Sequence, residues 1–114
     1  MSGWTIYHNP DCGTSRKVHA ALREAGHEPE VVEYKKTGWT RPQLEQLFAA
    51  MSVSPRAVLR TRGTPAEDLG LATASDEVIV TAMIEHPILV ERPIVVGPNS
   101  ARLCRPAEKV QELL

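Results

Sequence analysis

The opening 34 residues constrain this chain most, because they alternate β-prone and helical patterns at a spacing few folds accept. Thr5-Ile6-Tyr7 is a short β-prone run, and His8-Asn9-Pro10-Asp11 after it is a loop signal. Thr14 or Ser15 is placed to cap a helix that carries Val18, Ala21, Leu22 and Ala25 on one face. Gly26 is a natural stop, and Pro29 precedes Val31-Val32-Glu33-Tyr34, which reads as a second strand. A β-loop-α-β opening predicts two parallel strands joined by a helical crossover.

The middle of the chain reads as helical and punctuated. Thr40 with Gln43 forms a capping box ahead of Leu44, Leu47, Phe48 and Met51. Ser54-Pro55 opens a short helix through Ala57, Val58 and Leu59. Thr64-Pro65-Ala66-Glu67 reads as a second capping box, with proline at the first helical position. Ser75-Asp76-Glu77 opens a helix through Val78, Ile79, Ala82 and Met83 that must stop near His86, because Pro87 follows. The end returns to strands. Pro93-Ile94-Val95-Val96 and Arg102-Leu103-Cys104 flank the turn Gly97-Pro98-Asn99-Ser100 as a hairpin, and Pro106 starts a last helix through Val110 and Leu114. The order βαβ, helical block, ββα predicts an α/β fold. Its form is a thioredoxin/glutaredoxin-like mixed sheet with a helical insertion between the two halves. We expect one domain over residues 1–114, with the insertion at about 40–87.

Composition excludes several function classes. A net charge of −1 gives no positive field to attract nucleic acid or an anionic membrane, so neither is an expected partner. Met1-Ser2-Gly3-Trp4 runs into a strand without a basic region and apolar stretch, and no apolar run approaches the roughly 20 residues of a membrane helix. A cytoplasmic location is the expectation. Two cysteines, Cys12 and Cys104, are too few for a secreted disulfide scaffold. His8, His19, His27 and His86 show no metal-ligand spacing with each other or with the cysteines, and no metal is assigned.

The neighbourhood of Cys12 makes it a candidate nucleophile. It lies between a strand end and a helix start, where unpaired amides and the positive end of the helix favour an anion. A thiol with a pKa near 8.5 is only about 3% ionised at neutral pH. Lowering that pKa by about two units takes roughly 2.7 kcal/mol, within reach of a helix terminus plus a nearby cation. Arg16 and Lys17 add charge one turn on, and His8 stands at the strand end. Ser15 occupies the position where a redox dithiol motif would put a second cysteine. Lys17 stands where a tyrosine-phosphatase-type loop would put arginine.

Further along, Arg60 ends the short helix, Arg92 precedes Pro93, and Arg105 follows Cys104. A guanidinium suits a tetrahedral oxyanion because it stays charged and offers forked donors. In thioredoxin-like folds the proline before the third strand is typically cis and faces the active cysteine, and the same is expected of Pro93.

Taken together, His8-Asn9-Pro10-Asp11-Cys12-Gly13-Thr14-Ser15-Arg16, Arg56-Ala57-Val58-Leu59-Arg60, His86-Pro87-Ile88-Leu89-Val90-Glu91-Arg92-Pro93-Ile94-Val95-Val96 and Arg102-Leu103-Cys104-Arg105-Pro106 resemble the glutaredoxin-coupled arsenate reductase family. The resemblance implies that Cys12 attacks arsenate, that Arg60, Arg92 and Arg105 hold the oxyanion, and that His8 helps lower the thiol pKa. Gly13, Thr14, Ser15, Arg16 and Pro93 fill supporting positions. It implies no bound cofactor, with glutathione or another small thiol as co-substrate and glutaredoxin as partner. Cys104 matches a family cysteine without an essential role. Two rival readings stand beside this one. Cys12-Gly13-Thr14-Ser15 is close to the Cys-Gly-Phe-Ser of monothiol glutaredoxins, but Thr14 replaces the phenylalanine. Fold relatives that bind RNA polymerase usually carry a Cys-x-x-Cys switch, which Ser15 removes.

Overall fold

The computed structural model of the protein describes residues 3–114. They form two compact units, one from residues up to Thr37 together with Arg92–Leu114, the other from Gly38–Glu91.

The first unit is built on a four-stranded mixed sheet of order β2-β1-β3-β4. Strands β1 (Thr5–Tyr7) and β2 (Glu30–Val32) are parallel, joined by helix α1 (Gly13–Glu24). Strand β3 (Ile94–Val96) runs antiparallel to β1, and β4 (Ala101–Leu103) antiparallel to β3. One sheet face is fixed by register: Ile6 stands opposite Val95, and both are fully buried. Val18 and Leu22 of α1, four residues apart and so on one stripe, cover that face with Trp4, Cys104 and Val110. Val110 belongs to a closing 3₁₀ helix, Ala107–Glu112, tied to β4 by an Arg102–Glu112 ion pair at 3.0 Å. Gly26 takes φ +89° just after α1, where its lack of a Cβ lets the chain reverse toward β2.

The second unit is helical. Helix α3 (Arg41–Met51) starts with the full Thr40/Gln43 capping box, and α4 (Asp76–Glu85) starts with Ser75 accepting from the Val78 amide. Leu44, Leu47 and Phe48 of α3, Ile79 and Met83 of α4, and Val58, Leu71 and Leu89 make its buried apolar interior. The segment ends are clamped by backbone bonds, Arg60 N to Leu89 O at 2.7 Å and Glu91 N to Val58 O at 2.8 Å. The Arg56 guanidinium donates to the carbonyls of Leu71, Ala72 and Ala74. These carbonyls end a 3₁₀ turn, where acceptors lack partners within the turn itself. No helix among the described residues is long and apolar enough to cross a membrane.

Local readings failed in several places; the short helix, for one, is a 3₁₀ helix over Pro55–Val58 that ends before Leu59 and Arg60. The second strand stops at Val32, and Tyr34 opens a short helix α2 (Tyr34–Thr37) instead of continuing it. Its turn is nucleated by the Glu33 carbonyl, which accepts from Lys36 N and Thr37 N. Neither Thr14 nor Ser15 caps α1; the N-cap is Cys12 itself, without a side-chain bond. Thr64 opens a run of turns rather than a helix; its hydroxyl donates backwards to Arg60 O at 2.8 Å and accepts the Ala66 amide at 3.2 Å. The closing helix is 3₁₀, starts after Pro106 and ends at Glu112, short of Leu114.

The β3–β4 turn depends on close approach to an indole. A Cβ added at Gly97 would lie 2.9 Å from the Trp4 ring, which is itself stacked on His27 at a centroid distance of 4.4 Å. Gly97→Ala should therefore destabilise the protein by about 1–3 kcal/mol, read as a lower denaturant midpoint in urea unfolding.

Candidate active site

Cys12 sits where the sequence placed it, between β1 and α1, with extended backbone at φ −98° and ψ 122°. The amides of the first helical turn have no partner within the helix and face the N-cap. The thiol is free, and the residue is 9% exposed. Burial pushes its pKa up, but the Ser15 amide, the charge and hydrogen bond of the Arg92 guanidinium, and the Thr14 amide outweigh burial. The balance leaves the thiol below its ordinary value.

The cationic side comes from the far end of the sequence. Arg92, itself 8% exposed, precedes β3 across a cis bond to Pro93, as expected. Arg105 follows β4, and its Nη1 donates to Arg92 O at 3.4 Å and toward Cys12 Sγ at 3.9 Å. A second cis bond, Arg105–Pro106, had no sequence signal to announce it. The β3–β4 hairpin thus carries both arginines to the start of α1.

Other predicted residues stand differently. The Arg16 guanidinium is engaged with the loop, its Nη1 donating to Pro10 O at 2.7 Å. Gly13 has ordinary backbone, and a Cβ there would meet only Arg16 Nη2 at 3.7 Å, an ordinary contact. Arg60 belongs to the second unit, where its Nε donates to Arg62 O at 2.9 Å. His8 Nδ1 lies 2.6 Å from Ser15 Oγ. Burial, the His19 ring and Arg16 lower the His8 pKa against an opposing effect of Glu33.

Asn9 escaped sequence reasoning. It is 5% exposed, donates its amide to Ser15 Oγ at 3.0 Å, and accepts the Asp11 amide on Oδ1 at 3.0 Å. The Cys12 amide donates to Asn9 O at 3.0 Å. Asn-x-Asp ahead of a helix is a recognised side-chain turn, so the signal was present. Among the described residues, no cluster of three or more His, Cys, Asp or Glu could hold a metal ion.

This strand–thiol–helix arrangement has known counterparts. The sequence profile of the ArsC family matches residues 7–113. The chain belongs to the ArsC family. It is 56% identical over 111 residues to an arsenate reductase of Synechocystis, covering 96% of this chain and 79% of that one. It is 49% identical over 116 residues to an arsenate reductase of Escherichia coli, covering all of this chain and 82% of that one. Among solved structures, an arsenate reductase from Vibrio cholerae superposes with a TM-score of 0.92 at 38% identity, covering 97% of each chain. Both the fold and the family expected from the sequence are therefore established for this ArsC protein.

The second thiol provides the internal comparison. Cys104 is fully buried, and burial pushes its pKa up to about 12. Iodoacetamide at neutral pH should label Cys12 and spare Cys104 in the native protein, as read by peptide mass spectrometry. The raised pKa also sets a stability window. The folded state holds the Cys104 proton more tightly than the unfolded state, so this contribution is complete below the unfolded thiol pKa of about 8.5. It is lost as pH rises from there toward about 12. The urea midpoint should fall across that range, and Cys104→Ala should flatten that fall.

Proposed function

We propose that this protein reduces arsenate to arsenite, with Cys12 as the nucleophile. The observation that carries the reading is a single depressed thiol held by helix amides and two guanidiniums, Arg92 and Arg105. Such a site attracts a tetrahedral oxyanion to a ready nucleophile. The names of the Synechocystis, E. coli and Vibrio cholerae relatives supply the choice of anion.

In the proposed reaction the Cys12 thiolate forms a bond to arsenic, and one arsenate oxygen leaves as water after taking up protons. Arg92 and Arg105 neutralise the oxyanion and orient it, and the family resemblance gives Arg60 a role in holding it. An external thiol then attacks the adduct. The new disulfide to Cys12 takes one sulfur from each partner, the electron pair of the sulfur–arsenic bond stays on arsenic, and arsenite departs. Ser15 stands where a resolving cysteine would be, and Cys104 is held protonated, which favours a reductant from outside the chain. We assign that role to glutathione, with glutaredoxin clearing the mixed disulfide, and place the reaction in the cytoplasm of the cell. Thiol exchange returns Cys12 to its starting state.

Turnover of arsenate with glutathione and glutaredoxin is the deciding assay. Cys12→Ser should abolish it, while Cys104→Ser should keep most of it; activity surviving in Cys12→Ser would rule out the mechanism. Arg92→Lys and Arg105→Lys should each lower kcat/KM by about tenfold to a hundredfold, because an ammonium cannot reproduce the forked donor. Wild-type kinetics in both would remove the anion cradle from the proposal.

A further inference from the structure

We infer that Ser15 is a positioning residue for Cys12, and that His8 acts on the thiolate through the Ser15 hydroxyl as a neutral ring rather than as a neighbouring cation. This deepens the reading of Cys12 as a thiolate nucleophile and rests on it.

Ser15 is fully buried, and its Oγ has two partners. The Asn9 amide can only donate, so at 3.0 Å it uses an oxygen lone pair. Oγ keeps a second lone pair and its proton, and His8 Nδ1 faces it at 2.6 Å; of the two arrangements this allows, we assign the one in which the hydroxyl proton goes to Nδ1. An Nδ1 that accepts carries no proton, so the ring proton sits on Nε2 and the imidazole is neutral. An imidazolium would instead aim a second N–H at Oγ and turn the hydroxyl proton of the fully buried Ser15 toward another acceptor.

The charged and titratable groups around His8 agree with that tautomer. From α1 come His19, with its ring centroid 5.2 Å away, and Arg16, and both disfavour a cation. Glu33, beyond β2, favours one, but burial is the largest influence and also opposes it. His8 is thus held below its ordinary pKa and is uncharged near neutral pH.

Ser15 also joins two parts of the site. Its side chain ties the end of β1, through His8 and Asn9, to the first turn of α1. Its own amide is the foremost group lowering the Cys12 pKa. The side chain therefore fixes the residue whose backbone holds the thiolate. Removing the hydroxyl frees that turn to tilt away from the sulfur without deleting any donor.

The first test needs no variant. Long-range ¹⁵N–¹H spectra of the wild-type protein near neutral pH should show His8 as the neutral Nε2–H tautomer. An imidazolium or an Nδ1–H tautomer there would overturn the inference. The second test is the pH dependence of Cys12 alkylation, resolved by peptide mass spectrometry. Ser15→Ala should move its midpoint upward by about one unit, a tenfold loss of thiolate reactivity below the midpoint. His8→Gln, whose amide oxygen can still accept from the hydroxyl, should move it less. An unchanged midpoint in Ser15→Ala, or a larger shift in His8→Gln, would return His8 to the role of cation. Neither test involves arsenic. Absence of arsenate turnover in the wild type would sink the proposed reaction and leave these readouts standing.

Discussion

Negative charge on a nearly buried sulfur is the constraint around which the catalytic end of this molecule is arranged. Burial opposes that charge, and Cys104 shows how strongly: with no comparable set of donors, its pKa rises to about 12. Cys12 is shielded from water as well, yet its pKa moves the other way. The difference is the supply of donors. Two amides come from the start of α1 and require only that the helix begin there. The guanidiniums require the β3–β4 hairpin, and the hairpin requires β1 as its antiparallel neighbour. Ile6, Val95, Val18 and Leu22 hold sheet and helix together and so keep the donors in place.

Much of the fold was legible because its punctuation is chemical. Gly26, the Thr40–Gln43 pair, Ser75 and Pro87 each mark a boundary that the backbone obeys. The readings that failed were those in which one side chain had two possible uses. Thr64 donates backwards to a carbonyl and accepts the Ala66 amide without starting a helix, and Ser15 bonds to His8 and Asn9 instead of capping α1. Tyr34 looked like the end of a strand because its type is β-prone, but Glu33 and Gly38 confine it to one helical turn.

The candidate site was legible in its residue types more than in its partnerships. Arg16 and Lys17 stood out as added charge because they are near Cys12 in sequence, and the bond of Arg16 to Pro10 O could not be read there. Arg105 is far away in sequence and is the guanidinium whose Nη1 points at the sulfur. Sequence proximity ranks neighbours along a chain, whereas a hairpin chooses them across a sheet. The partnership of His8 was equally hidden, because Ser15 Oγ reaches it from the first turn of α1, seven residues on.

The separation of 93 residues between Cys12 and Arg105 has a consequence for synthesis. A ribosome delivers Cys12 early and the two arginines late. Until β3 and β4 emerge, β1 lacks its antiparallel neighbour and the sulfur lacks its guanidiniums. A nascent chain therefore carries a thiol close to ordinary reactivity, slow to be alkylated or oxidised. The nucleophile is armed by the act of finishing the fold.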